Sequence, residues 1–398
     1  MERGKFMISL LQEYLAINTS CPNPNYLAVV ELFKKHAQED GFEFNELILP
    51  SGNPLLIITL KGSCEELSAL ALNHHMDVVP ADQNMWSFSP FSGTIHEGSL
   101  FGRGTQDCKS LGVIHYGALK QLKHQGLQLQ RTIHLLIVPD EERGGFQGTK
   151  EFIEHPLFAS LNIGYVLDEG LPSGNEKELL IKIDERTPIQ IQVTSTGIQS
   201  HSSGLFHENC IHMLTHFLSD ITTFHKEQQE LAISKQSGDY ISMQITSLTA
   251  HNNALNVIPS QAQATIDIRI PPSISSATGI NLIDTMIKKH RAISYEILAT
   301  SKERVKAITL NSIFYQSLAQ AIVTYGLNPK PFTFEATTDA RFYSNHGIET
   351  IGFTPFTNKP NLHGINENII INDFLQGTSI VYTFLLTFCR IMNKSKEK

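Results

Sequence analysis

The stretch Ser68-Ala-Leu-Ala-Leu-Asn-His-His-Met-Asp-Val-Val-Pro80 decides how the chain is read. Its first half, Ser68 to Asn73, is an apolar run of strand length, and it delivers His75 and Asp77 just past its carboxyl end. The plan recurs. Arg131 to Val138 reads as a buried strand running into Pro139-Asp-Glu-Glu-Arg-Gly-Gly145, and Tyr165-Val-Leu167 runs into Asp168-Glu-Gly170. Asn53 to Leu60 is a further strand, while Tyr26 to Asp40, Ser110 to His124 and Gly148 to Glu154 read as helices. Strands alternating with helices predict an α/β fold, a mostly parallel mixed sheet flanked by helices.

Residues 186–300 follow another rhythm. Pro188 to Thr194, Tyr240 to Thr246 and Ala262 to Ile270 alternate apolar and polar residues with period two, and Asn209 to Glu230 and Gly279 to His290 look helical. Strands with one wet face and a few helices predict a small antiparallel α+β insertion. A helical pattern at Ser312 to Tyr325 then returns to the first fold. The expected division is therefore one domain from 1–185 with 301–398, and a second from 186–300.

Composition narrows the function classes. A hydrophobic fraction of 41% against 18% charged residues is that of a globular chain, long enough at 398 residues for two cores. The net charge of -8 and the lack of a basic stripe give no reason to expect a nucleic-acid partner. Cys21, Cys64, Cys108, Cys210 and Cys389 are odd in number and scattered, which argues for free thiols and a cytoplasmic location. Phe6 to Leu11 is too short for a signal-peptide core, and no apolar run reaches membrane-spanning length, so no membrane association is expected.

The chemistry lies in five residues that suit a hard-to-borderline cation. His75, Asp107 in Gly102-Arg-Gly-Thr-Gln-Asp-Cys-Lys109, Glu142, Glu169 and His363 in Asn361-Leu-His-Gly364 supply two imidazoles and three carboxylates. Ligands in open α/β sheets gather beyond the carboxyl ends of strands, where three of these segments fall. Zinc takes nitrogen and carboxylate oxygen together. One ion would take His75, Glu169 and Asp107, and the other His363, Glu142 and Asp107, with the shared carboxylate bridging ions about 3.5–4 Å apart. Glu141 is left over as a general base. Asp77, two residues after His75, can accept the free ring N–H of that histidine. The equipment is that of a metal-dependent hydrolase.

These segments, with Val193-Thr-Ser-Thr-Gly197 and Asn256-Val-Ile-Pro259, resemble the zinc-dependent family of aminoacylases, acetylornithine deacetylases and related carboxypeptidases, the aminoacylases above all, over nearly the whole chain. The resemblance implies a zinc-exopeptidase-like catalytic domain interrupted by a lid that also forms a homodimer. It implies two zinc ions per subunit, with cobalt or manganese as substitutes, and Asp77 and Glu141 as catalytic carboxylates. By the same resemblance His201 in Gln199-Ser-His-Ser-Ser203 reaches the partner's site and steadies the oxyanion, Asn256 and Arg269 help hold substrate, and Arg341 in Thr337-Thr-Asp-Ala-Arg-Phe342 grips its carboxylate. It also implies a cis Asp107–Cys108 peptide. The expected substrate is a small N-acyl-L-amino acid, with a dipeptide, cleaved by a dipeptidase or carboxypeptidase, as the alternative. A scaffold protein that merely kept the fold would show a broken ligand set, and here the set is complete. The chain departs from the pattern at His74, Cys108, Phe146, Ser200 and Ala340, none of which removes a ligand.

Overall fold

In the computed structural model the two wholly buried strands Ala69–His75 and Ile133–Val138 lie side by side and parallel, with Leu70 opposite Ile133 and His75 opposite Val138. The structure describes residues 2–205, 208–235, 239–252, 254–300 and 308–390. Successive residues of these strands feed different cores. Leu70, Leu72, Ile133, Leu135 and Ile137 join one apolar cluster, and Ala71, Leu136 and Val138 join another. A strand packed on both faces must be apolar at every position, which is why its sequence shows no alternation.

Across the eight-stranded sheet the order is Glu43–Ile48, Pro54–Leu60, Ile133–Val138, Ala69–His75, Ile163–Asp168, Glu349–Phe353, Glu178–Glu185 and Asn328–Phe334. The four central strands, Ile133–Val138 to Glu349–Phe353, are parallel to one another. Toward the edges the pairing turns antiparallel, at Pro54–Leu60 with both its neighbours and at Glu349–Phe353 with Glu178–Glu185. The fold is mixed α/β as expected, with the parallel part confined to the middle. Parallel strands need crossovers, and the antiparallel hairpin Glu43–Leu60 needs only a turn.

The larger core also takes residues of Glu2–Ala16, Tyr26–Glu39, Lys109–His124, Ile313–Thr324 and Ile371–Phe388, including Tyr14, Phe33, Val113, Phe314 and Phe384. Two of these helices start where the sequence supplies a cap. The Asn25 side chain accepts from Ala28 N, and the Ser312 hydroxyl accepts from Phe314 N at 3.1 Å. Gly112 matters for the site. A Cβ there would stand 2.1 Å from His74 Nε2, so the glycine lets Lys109–His124 close on Ala69–His75 and brings Asp107 up to His75.

The chain divides into two compact units, one of Met1–Ile183, Ile308–Pro331 and Thr338–Lys398, the other of Asp184–Ala307 with Phe332–Thr337. In the second, an antiparallel sheet runs Ser242–Thr249, Gln261–Ile270, Thr187–Thr196, Ile293–Thr300. Burial alternates residue by residue along Thr187–Thr196 and Gln261–Ile270, and the inward positions pack with Phe217 and Ile283 from Cys210–Lys235 and Ser276–Ile287. Among the described residues, no helix is long and apolar enough to cross a membrane.

Candidate metal centre

Adjacent parallel strands end together and set three acidic or imidazole segments along one edge of the sheet. Ala69–His75 ends on His75, Ile133–Val138 ends just before Glu141 and Glu142, and Ile163–Asp168 ends one residue before Glu169. Asp107 arrives from the loop ahead of Lys109–His124, across a cis Asp107–Cys108 peptide as the resemblance implies. His363 comes from a distant loop and holds φ 61, a left-handed conformation uncommon for any residue but glycine.

The side chains converge on Asp107. His75 Nε2 is 2.9 Å from its Oδ1 and 3.4 Å from Glu169 Oε2. His363 Nε2 is 3.1 Å from its Oδ2 and 3.0 Å from Glu142 Oε2. Two groups result, each with ligand atoms within 4.8 Å of one another: His75, Asp107, Cys108 and Glu169, and Asp107, Glu142 and His363. Cys108 was not picked out by sequence reasoning as a ligand. Its thiol, pushed up by burial, points at His75 O at 3.7 Å.

The electrostatics fit a cation. Burial and the charge of Asp107 raise Glu142, and burial raises Glu169 to about 8 against the pull of His75. Burial and the Glu169 carboxylate raise Glu141. Burial opposes ionisation of Asp107 too, yet hydrogen bonds from His363 and His75 hold its carboxyl well below the usual range. Hydrogen bonds to Asp107 and Glu142 raise His363 to about 10. Glu142 Oε1 is buried with no hydrogen-bond partner. Crowded carboxylates with an orphaned oxygen, interleaved with imidazoles, form a donor set that a divalent cation of zinc type would satisfy.

Asp77 faces both the His75 ring and the acidic turn. His75 Nδ1 lies 2.9 Å from the backbone oxygen of Asp77 and 3.6 Å from its carboxylate. The carboxylate also accepts from Glu141 N at 3.2 Å and Glu142 N at 3.0 Å, one oxygen each. The carboxylate thus stays within ion-pair distance of the ring, while the main-chain carbonyl of the same residue is the nearer acceptor. Asp140 precedes this turn at φ 72, and Gly144 and Gly145 close it at φ 98 and 65. Asp77→Ala would leave two backbone N–H groups short of an acceptor, at about 1–3 kcal/mol each. Denaturant unfolding of the metal-free variant should therefore show a lower midpoint, and a loss under about 0.5 kcal/mol would refute the assignment.

Arg341, on the short helix Ala340–Asn345, donates to Gly144 O and lies 4.6 Å from the Phe342 ring and 5.9 Å from Phe146. His201, Asn256 and Arg269 all fall in the second unit. Asn256 Nδ2 is 3.1 Å from His201 Nε2, and Arg269 meets both carboxylate oxygens of Asp267, at 2.7 and 3.2 Å. Sequence reasoning missed the group behind Glu169. The Asp168 carboxylate accepts from Asn73 at 2.8 Å and Thr338 at 2.8 Å and pairs with buried Lys182 at 3.4 Å. Asp168 stood in the quoted Asp-Glu-Gly segment, but nothing local gives its partners.

The family model for peptidase family M20/M25/M40 matches residues 71–387. Aminoacylase-1 of Dictyostelium discoideum is 31% identical over 390 residues, covering 94% of this chain and 95% of the relative. Aminoacylase-1 of Mus musculus is 30% identical, covering 96% and 94%. An M20 family metallo-carboxypeptidase of Sulfolobus solfataricus superposes with a TM-score of 0.77 at 19% identity, covering 97% of this chain and 99% of that one.

Proposed function

The chain belongs to peptidase family M20/M25/M40, and on that footing we propose that it hydrolyses N-acyl-L-amino acids to a carboxylate and a free amino acid. It is a metal-dependent hydrolase of amide bonds, and we infer that its metal is zinc and its substrate an N-acyl amino acid.

The observation that supports it best is the position of Asp107, with one carboxylate oxygen toward His75 and the other toward His363. His75, Glu169 and Asp107 would hold one zinc ion, and His363, Glu142 and Asp107 a second. Such ions, when bound, polarise an amide carbonyl and bring the pKa of water down toward about 7. Glu141 takes the proton of the attacking water and passes it to the amide nitrogen. A C–O bond forms at the carbonyl carbon, the C–N bond breaks, and the nitrogen leaves protonated. Asp77 fixes the Glu141–Glu142 turn through its two backbone hydrogen bonds. Arg341 offers a planar fork to the substrate carboxylate, oriented by its bond to Gly144 O. His201, assisted by Asn256, steadies the oxyanion from the partner subunit, and Arg269 helps hold substrate. The inserted unit serves as lid and homodimer contact, and the protein works in the cytoplasm.

A panel of N-acetyl-L-amino acids against dipeptides, with added zinc, tests the reading. N-acetyl substrates should exceed dipeptides in kcat/KM. Because Phe146 is more than half exposed beside Phe342 and Arg341, apolar amino acids should exceed aspartate by about tenfold or more. Faster cleavage of dipeptides would move the chain to the dipeptidase reading.

A further inference from the structure

Asp107 and His363 are far apart in sequence, yet a single buried ion pair touches the backbone of both. The Glu367 side chain is fully buried and pairs with Arg103 Nη1 at 2.6 Å. The same carboxylate accepts from three N–H groups of one loop: Gly104 at 3.2 Å, Gln106 at 2.7 Å and Asp107 itself at 3.2 Å. The other arm of Arg103 donates to His363 O at 3.1 Å. We propose that Arg103 and Glu367 are positioning residues that set the His363–Glu142 metal position by fixing the Asp107 loop against the His363 loop. This rests on the two-metal reading above.

The two ligand groups are unequally supported by the backbone. His75 is the last residue of a central strand, and Glu169 directly follows its parallel neighbour, so backbone pairing already holds them. His363 has no such support. It sits at positive φ, and its side chain is 52% exposed while Asp107 and Glu142 beside it are each 9% exposed. Three N–H donors and a guanidinium converge on one side chain, an arrangement that is strong because the guanidinium is charged and every donor is aimed. Loss of that arrangement leaves the loops in place through Gly102 N to Glu367 O at 3.0 Å and the pairing of Ser99–Phe101 with Asn368–Ile370, but loosens the two ligands. Groups behind metal ligands typically govern affinity by about 10–100-fold.

The test is zinc titration of the metal-free full chain against a chromophoric chelator. Wild type, Glu367→Gln, Arg103→Lys and His363→Ala are compared, with the last defining which binding step belongs to His363. In Glu367→Gln that step should weaken by about 10–100-fold while the other stays within about threefold, and excess zinc should restore kcat. Arg103→Lys keeps the charge but loses the fork, and should weaken the same step, which preserves the test if Glu367→Gln does not fold. Two unchanged steps, or two steps weakened alike together with the unfolding midpoint, would overturn the proposal and leave the two-zinc reading standing. Wild type that takes up fewer than two zinc ions would instead overturn the reading itself, and the clamp with it.

Discussion

If Glu141 is the base of a zinc site as proposed, Glu141→Gln should retain its zinc and lose turnover by roughly 10³-fold, within the range that general acid–base catalysis contributes. The substitution preserves shape, so the backbone N–H at this position still donates to Asp77 Oδ1, and Glu142 still faces His363. Only the capacity to accept a proton is removed. Glu141 belongs to neither ligand group, so the metal content should not change. Burial and the Glu169 carboxylate raise its proton affinity, as a base close to a ring of carboxylates requires. Metal analysis beside single-turnover kinetics decides the matter. A variant with kcat within about tenfold of wild type would move the base elsewhere, and one that lost zinc would make Glu141 a ligand.

Asp107→Ala should be the more damaging change, because on the proposed two-zinc reading it strikes both metal positions at once. Asp107 is the residue common to the two groups, and its oxygens face His75 and His363 separately. Without it the first group keeps His75 and Glu169 with the buried thiol of Cys108, and the second keeps Glu142 and His363 alone. Bound zinc should fall from two equivalents to well under one, and turnover should drop below that of Glu141→Gln. A thermal readout gives an independent check. A ligand present at 100 times its Kd stabilises the folded state by about 2.7 kcal/mol. Zinc should thus raise the midpoint of wild type and leave that of Asp107→Ala almost unmoved. An equal rise in both would show that Asp107 is no ligand.

Much of this was legible before any coordinates. The apolar runs at Ser68 to Asn73 and Arg131 to Val138 give strands within a residue or two of those found, because burial on both faces leaves a local trace. The period-two alternation at Ala262 to Ile270 gives the strand Gln261–Ile270 for the opposite reason, one face being less buried. The short strands of the small three-stranded sheet escaped. Thr94–His96, Ser99–Phe101 and Asn368–Ile370 are three residues each, too few for a period to show.

The sequence by itself determined which residue types stand at the strand ends: His75 at the end of one strand, Glu141 and Glu142 after the next, Glu169 after a third. That follows from local pattern, since where a strand stops depends on its own residues. Tertiary structure alone decided which atoms those residues address. It gave the Asp77 carboxylate two backbone donors of the acidic turn besides the His75 ring, tied Asp168 to Lys182 and Thr338, and placed Glu367 under the loop of Asp107. A hydrogen bond is fixed by positions within a few tenths of an ångström. Those positions depend on contacts made across some 260 residues of chain, as between Arg103 and Glu367, and no short stretch of sequence carries them.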